Sequence, residues 1–458
     1  MREEMVKPDK AAIISEKITI TYQELNDFCN EFGNRLSYRG LILIKCGINV
    51  PTIMGYAAAM HSGTPVMLCE DKGCAADAGI IENYRPAYIW QRDGNMPYGY
   101  SVVFGRYGYV LLCANNRFKY NIHKELALLL STSGSTGSSK FVRISCANIE
   151  DNTSAIIKSL GIKENDRAMV MLPISYTYGL SIVNTYLKSG AALLVTEYPV
   201  YHAGFWKFAG KHSCSAICGV PYTYEIIRRG GFLNAHLTSL RLATQAGGKL
   251  SEETEKYMLE MADRRYFDFA VMYGQTEATA RMACHILNRN PDKLGSAGRV
   301  IPGGDIRIEN GEIVYSGGNV TMGYAESWRD LAAGDERGGV LYTGDLGYMD
   351  PDGFIYITGR KSRISKINGY RISLDELEGL IKDELNVVSA CVERADGIHI
   401  VLETESGEIN DDDIECVRSY VTKKTGINGR LIKVSHVYVL PRGENGKILY
   451  GNIALPVG

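Results

Sequence analysis

From about residue 22 to about residue 270, short apolar runs alternate with amphipathic stretches. Residues 22–36, 145–160 and 251–262 space their apolar positions as one face of a helix does, which predicts three helices. Between them, residues 126–130, 167–172, 191–196 and 215–219 are short, apolar and bounded by polar residues, and these predict buried strands. Such alternation implies α/β layers around largely buried sheets. Past about Asp305 the texture changes. Residues 305–309 and 312–316 flank Asn310-Gly311, a strong hairpin turn, and residues 346–349 and 354–358 flank Asp350-Pro351-Asp352-Gly353, a turn with glycine at its end. Together they predict a small antiparallel β unit. A polar break at Gly359-Arg360-Lys361-Ser362 follows. Beyond it, Ser373-Leu374-Asp375-Glu376 is a capping box opening a helix to about residue 385. Residues 387–393 and 398–403 form a hairpin around Asp396-Gly397, and residues 411–424 a helix stopped by Gly426.

The expected fold class is therefore α/β. A large N-terminal domain of layered α/β subdomains plus a small β unit (1–359) precedes a small α+β C-terminal domain (360–458) on a short hinge. A length of 458 residues allows two to four domains or subdomains. Composition narrows the function classes. Fifty basic and 52 acidic residues leave no global field favouring nucleic acid or an anionic membrane. The apolar stretches are too short to span a bilayer, and Met1–Lys7 leads into no apolar core, so no secretory signal is expected. Eleven cysteines, odd in number and without a CxxC pair, suit reduced thiols in a cytoplasmic protein. The eight histidines show no HExxH or similar spacing, so no zinc site is expected.

Candidate chemistry begins at Ser131-Thr132-Ser133-Gly134-Ser135-Thr136-Gly137-Ser138-Ser139-Lys140. Glycines let backbone amides turn toward an anion and hydroxyls add donors, so the loop suits a polyphosphate. A Walker A loop would end in Gly-Lys-Ser/Thr and open a helix. Here Lys140 precedes Phe141, and residues 141–144 read as a strand. A flexible Ser/Gly linker is the plain alternative, but the loop sits between two apolar strands and ends in lysine.

The loop resembles the phosphate-binding motif of the adenylate-forming superfamily, which includes acyl-CoA synthetases, nonribosomal peptide adenylation domains and firefly luciferase. Four further motifs follow in that family's order: Tyr273-Gly274-Gln275-Thr276-Glu277, Tyr342-Thr343-Gly344-Asp345, Gly359-Arg360 through Gly369-Tyr370-Arg371, and Pro441-Arg442-Gly443-Glu444-Asn445-Gly446-Lys447. The match runs from about residue 22 to residue 447, and its pattern is nearest to acyl- or aryl-acid CoA ligases.

The resemblance implies an ATP- and Mg²⁺-dependent enzyme that joins a carboxylic acid to AMP, releases pyrophosphate and passes the acyl group to a thiol. In that reading Thr132, Ser133, Gly134, Ser135, Thr136, Gly137 and Lys140 hold the β- and γ-phosphates. Thr276 contacts the α-phosphate and Glu277 binds Mg²⁺. Tyr273 and Gly274 flank adenine, Asp345 accepts the ribose hydroxyls and Arg360 adds a contact to the nucleotide. Lys447 reaches both the acid and the α-phosphate, where negative charge crowds the transition state. Lys366 and Gly369 line the thiol's path after the small domain swings about Ser362. Two departures stand out: Ser362 occupies a hinge position that usually holds Asp or Lys, and Val271 one that often holds Asn.

Three segments resemble the family's acid pocket: Pro173 to Gly179 with Tyr176 and Tyr178, Gly219-Val220-Pro221-Tyr222 (Tyr224 lies two residues on), and Gln245-Ala246-Gly247-Gly248-Lys249. The first segment lacks the aspartate that pairs with an α-ammonium in the peptide-synthetase branch, and a buried unpaired ammonium is costly. An α-amino acid is therefore disfavoured. Aliphatic and aromatic acids both stay open, as do coenzyme A and a phosphopantetheinyl carrier protein as acceptor. Two other classes compete: a phosphotransferase, which would release ADP, and a catalytically silent nucleotide-binding protein.

Overall fold

The computed structural model describes residues 7–71, 74–131, 140–231, 233, 237–367, 370–385, 387–394, 397–404, 411–443 and 448–453. The chain divides into two compact units, residues 1–306 with 315–341, and residues 307–314 with 342–458.

In the first unit the predicted helices form with their caps. Ser145 accepts from the Asn148 amide at the start of Cys146–Leu160, and Ser251 accepts from the Thr254 amide at the start of Glu252–Arg265. The first helix, Tyr22–Gly33, is shorter than its apolar pattern suggests, because the chain turns at Asn34. Two large sheets run through the unit. One orders Arg299–Val300, Ala283–Ile286, Asp268–Tyr273, Leu242–Gln245, Ala216–Gly219, Arg167–Met169, Ala192–Val195, Ala11–Ser15 and Thr19–Thr21. Its central strands are parallel and almost wholly buried, as continuous apolar runs require. The other runs from Gly323–Ala325 through Phe141–Ser145, Leu126–Ser131, Val66–Glu70, Ile42–Cys46, Tyr88–Arg92 and Tyr109–Ala114 to Tyr100–Arg106. One apolar cluster joins both sheets to the helices Tyr22–Gly33, Val50–His61, Cys146–Leu160 and Thr177–Lys188.

Two local expectations are corrected. The strand expected over residues 167–172 pairs only over Arg167–Met169, because the chain then turns toward a helix, Thr177–Lys188, that the apolar pattern had not marked. The polar break expected at Gly359 begins later: Ile355–Arg360 is one strand, and Arg360 still pairs opposite Asp345.

His285 gives this unit a pH signature. It lies in the strand Ala283–Ile286 opposite Val271, and burial pushes its imidazole down to about 4. The unfolded chain therefore binds the extra proton between about pH 6.5 and pH 4, so stability rises with pH across that window and is lost on acidification. Replacing His285 with Gln should flatten this dependence, worth up to about 3 kcal/mol, in denaturant titrations at pH 7 and pH 4.

In the second unit the Asn310-Gly311 turn joins Gly304–Glu309 to Glu312–Gly317, with φ of 51° and 81° at the two residues. These strands share a four-stranded sheet with Val340–Met349 and Ile355–Arg360. The C-terminal part packs the helices Leu374–Leu385 and Asp411–Thr425 on a sheet of Val388–Arg394, Gly397–Glu403 and Ile432–Val437, over its own apolar cluster. Ser373 accepts from the Glu376 amide and caps the first of these helices.

Candidate active site

Within the first unit, four of the expected segments meet at one edge of the larger sheet. Arg167–Met169, Ala216–Gly219, Leu242–Gln245 and Asp268–Tyr273 run parallel, with Gly219 opposite Gln245 and Gln245 opposite Val271. Residues 173–179, 219–222, 245–249 and 273–277 therefore all leave from the carboxyl ends of neighbouring strands. That is where open α/β sheets bind ligands.

Glu277 stands in a single 3₁₀ turn, Thr276–Ala278, directly after the strand that ends at Tyr273. The backbone beyond it is strained: Thr279 has φ of 52° and Ala280 of 105°, a region that favours glycine. Asn319 holds this loop from outside, donating to the carbonyls of Ala278 at 2.7 Å and Arg281 at 2.9 Å, while its own carbonyl accepts from Thr279. Gly274 lets the loop fold back over the strand end. A methyl group there would run into the Ala280 carbonyl and lie 2.8 Å from the Arg281 Cα.

The Glu277 carboxylate accepts from the Tyr324 hydroxyl at 2.8 Å. Burial, reinforced by the Glu277 charge, pushes this phenol up to about 12, so it remains a donor. Lys140 lies over the same ring at 4.0 Å and Arg337 at 4.7 Å. Arg337 also donates to the Glu277 backbone carbonyl and to Thr321. One tyrosine thus links the lysine that ends the Ser/Gly loop to the candidate metal carboxylate. Tyr324 is placed in turn by Arg143, fully buried in the strand after that loop, which donates to the carbonyls of Tyr324 and Met322 and pairs with Glu336.

The Ser/Gly loop itself, including Thr132, Ser133, Gly134, Ser135, Thr136 and Gly137, lies outside the described residues. Its flanks are antiparallel neighbours, Ser131 opposite Phe141, and a strand, not a helix, follows it.

Tyr273 and Thr276 are buried, with 8% exposure each. Of the acid-pocket candidates, Tyr178 is buried with its hydroxyl on Thr244, and Tyr224 is wholly buried with its hydroxyl on the Thr244 carbonyl. Tyr222 is exposed on the helix Pro221–Gly230. Tyr176 stands just before the helix Thr177–Lys188 without a side-chain cap, and its hydroxyl fills the place where a side chain at Gly247 would stand. Ala246 is buried, and the Gln245 amide donates to the Gly248 carbonyl at 2.7 Å, closing that turn.

In the second unit, Asp345 is buried opposite Arg360, whose Nε is 3.1 Å from its carboxylate. Buried Glu312 accepts from the Gly344 amide at 3.0 Å and pairs with Lys361 at 2.8 Å, bracing the Thr343-Gly344-Asp345 motif. Ser362 is exposed in the turn Lys361–Arg363. Arg363 is held by Asp375 and Glu378 on the next helix and lies 3.7 Å over the Tyr450 ring. Ser362 therefore sits between two anchored side chains. Lys366 stands in the strand Ile364–Ile367; Gly369 and Lys447 lie outside the described residues.

Sequence reasoning did not single out Tyr324, Asn319, Arg143 or Arg281. None lies in the motifs quoted above, so no local signal marked them.

Residues 110–325 match the family model of AMP-binding enzymes. A probable 4-coumarate–CoA ligase 1 of Dictyostelium discoideum is 30% identical over 286 residues, 59% of this chain and 51% of the relative. The chain thus spans about half the length of that relative. A 2-succinylbenzoate–CoA ligase of Bacillus cereus (strain Q1) is 24% identical, with 98% of this chain and 96% of the relative covered. The solved O-succinylbenzoate coenzyme A synthetase of Bacillus subtilis, in complex with ATP and a magnesium ion, shares the fold at a TM-score of 0.75, with 21% identity over 97% of each chain. Residues 110–325 are thus similar to AMP-binding enzymes, and the chain as a whole has the fold of the O-succinylbenzoate coenzyme A synthetase.

Proposed function

We propose that this protein is an AMP-forming acid–CoA ligase. The observation that carries the reading is the linked set of Lys140, Tyr324 and Glu277, in which Glu277 follows the carboxyl end of Asp268–Tyr273 and Lys140 is the last residue of the Ser/Gly motif in sequence. A carboxylate oxygen of the acid attacks the α-phosphorus of ATP, the bond to the β-phosphate oxygen breaks, and pyrophosphate leaves. The thiol sulfur then attacks the acyl carbon and AMP leaves.

Each residue serves one of these steps. Residues 132–137 and Lys140 hold the β- and γ-phosphates, and Thr276 the α-phosphate. The donor set fits Mg²⁺, which takes one or two protein carboxylates and completes its shell with phosphate and water oxygens. Among the described residues no cluster of three His, Cys, Asp or Glu offers a full protein cage, and Glu277 presents a single carboxylate held by one hydrogen bond. Bound Mg²⁺ would neutralise phosphate charge. Tyr273 and Gly274 border adenine, and Asp345 and Arg360 bind the ribose side of the nucleotide. Tyr176, Tyr178, Tyr222, Ala246, Gly247 and Gly248 form the acid pocket.

Functionally we divide the chain at residues 359 and 360. The N-terminal part carries the ATP and acid sites, and the C-terminal part pivots on Ser362. It offers Lys447 for adenylation, then Lys366 and Gly369 for the thiol. The relatives' names support coenzyme A as acceptor, with a carrier-protein thiol as the alternative. No helix among the described residues is long and apolar enough to cross a membrane. We place the protein in the cytoplasm, a reading its free cysteines support.

The test is incubation with ATP, Mg²⁺ and a panel of aliphatic and aromatic acids, following pyrophosphate and AMP with hydroxylamine as trap, then with coenzyme A. Acid-dependent AMP and pyrophosphate support the reading; ADP and phosphate overturn it. Asp345→Ala should raise the KM for ATP about 10- to 100-fold, the scale of losing charge-assisted hydrogen bonds. An unchanged KM removes Asp345 from the ribose site.

A further inference from the structure

Three residues after Lys447 in sequence, Tyr450 begins the short turn Tyr450–Asn452. Its hydroxyl donates to Glu378 on the helix Leu374–Leu385 at 2.8 Å, and the Arg363 guanidinium lies 3.7 Å over its ring. Arg363 is the residue directly after Ser362. Its Nε donates to Asp375 and its Nη2 to Glu378, while Nη1 reaches the Cys391 carbonyl at 3.3 Å. Glu378 in turn accepts from the Cys391 amide at 2.6 Å. An exposed ion pair keeps its side chains free to swing and contributes little. Here the Arg363 and Glu378 side chains are only 14% and 15% exposed, enclosed by a helix, a strand and a tyrosine ring, so the guanidinium is fixed in place.

The chain before Lys447 is held separately. The Leu440 amide donates to Glu403 at 2.8 Å, and the Arg442 Nη2 lies 3.1 and 3.2 Å from the two Glu403 oxygens. Arg442 pairs antiparallel with Ile448, and the Leu449 amide donates to the Pro441 carbonyl at 2.8 Å. Residues 441–442 and 448–449 therefore make a short stem, and Lys447 directly precedes its second side. Ile448 and Tyr450 root that side on the apolar cluster of Val392, Val401, Leu440 and Ile453. Asp375 ties the same assembly to the chain before Ser362. Its second carboxylate oxygen accepts from the Arg360 amide at 2.9 Å, so one side chain takes a donor from either side of that serine.

We propose that Arg363 and Tyr450 are positioning residues that lock the segment carrying Lys447 to the first residue beyond the pivot, so that rotation at Ser362 moves the lysine as one rigid piece with its domain. This rests on the ligase reading above and on its assignment of Lys447 and Ser362. A lysine is a point charge on a flexible stem. It serves a transition state only where its backbone is fixed, since a misplacement of about 1 Å costs a large factor in rate. Neither Arg363 nor Tyr450 touches the reacting atoms; both act through Lys447. The thiol step draws on Lys366 and Gly369 and does not use the stem.

The test measures pyrophosphate exchange, and thioester formation from supplied acyl-adenylate and coenzyme A, in Tyr450→Ala, Tyr450→Phe, Arg363→Met and Lys447→Ala, with thermal melts of each. Tyr450→Ala and Arg363→Met should slow exchange about 10- to 100-fold, in kcat with KM for ATP little changed, and keep thioester formation within about twofold of the wild type. Tyr450→Phe keeps the ring under the guanidinium and drops only the hydrogen bond to Glu378, so it should recover most of the loss. If Arg363→Met fails to fold, the two Tyr450 variants, which leave the Arg363 ion pairs in place, decide the matter. Two outcomes overturn the proposal while Lys447→Ala still loses exchange alone. Equal losses in both half-reactions would mean that the cluster only holds the domain together, and unchanged exchange in folded variants would mean that the lysine is placed without it. A Lys447→Ala enzyme with normal exchange would overturn the assignment of that lysine, and this inference with it. Absence of AMP and pyrophosphate with every acid would instead overturn the ligase reading.

Discussion

An enzyme carrying Lys447→Ala should form acyl-adenylate about 10²–10³-fold more slowly while converting supplied acyl-adenylate and coenzyme A to thioester at nearly the normal rate. The reason lies in the charges of the first step. A carboxylate must approach an α-phosphate that is itself anionic, and negative charge is crowded most tightly when the new bond is half made. A cation that touches both groups at that point stabilises the transition state more than either ground state, so its loss falls on kcat as well as on KM. In the second step the acyl-adenylate already exists and a thiol sulfur attacks the acyl carbon, so no second anion must be forced against the phosphate. Pyrophosphate exchange measures the first step, and thioester formation from synthetic acyl-adenylate the second. Equal losses in both would contradict the assignment of the lysine to one step and the pivoting domain with it.

Gly274→Ala should cost about 2–4 kcal/mol of stability and lower adenylation at least about 10²-fold in the folded fraction. An added methyl group would meet the backbone of Ala280 and Arg281, not the movable end of a side chain. That backbone is pinned by Asn319 and Asn152, which both donate to the Arg281 carbonyl, so the strain passes along the loop that carries Thr276 and Glu277. A shift of about 1 Å in a positioning group is enough for a loss of this size. Thermal melts and pyrophosphate exchange, measured together, separate the two effects. A variant with both melting temperature and exchange rate unchanged would show that the loop does not depend on this close approach. Substitution at exposed Tyr222 provides the contrast, since a surface change there should move stability by less than about 0.5 kcal/mol.

Much of the local structure was legible along the chain. Residues 145–160 and 251–262 announced helices by their apolar spacing, and Ser373 announced one by its capping box, because a side-chain oxygen just before a helix satisfies an orphan amide. Asn310-Gly311 announced its hairpin because few residues accept positive φ twice in succession. The motifs carrying Glu277, Asp345 and Lys140 were readable because each keeps its chemistry within a few consecutive residues. Where local reading slipped, long-range pairing decided: Arg360 continues a strand because Asp345 stands opposite it.

The sequence by itself thus determined several of the helices, strands and turns, and the short motifs that resemble those of adenylate-forming enzymes, since these depend on neighbours within one turn of a helix or one strand. Only the tertiary structure decided that Tyr324, 47 positions from Glu277, is its hydrogen-bond donor, and that Arg143, 181 positions from Tyr324, sets that tyrosine in place. It alone distinguished Tyr224, packed in the core, from Tyr222 on the surface. It also left Arg281 buried among sulfur, hydroxyl and aromatic groups. A hydrogen bond or a desolvated charge is set by distance in space, and residues far apart along a chain carry no local mark of becoming neighbours.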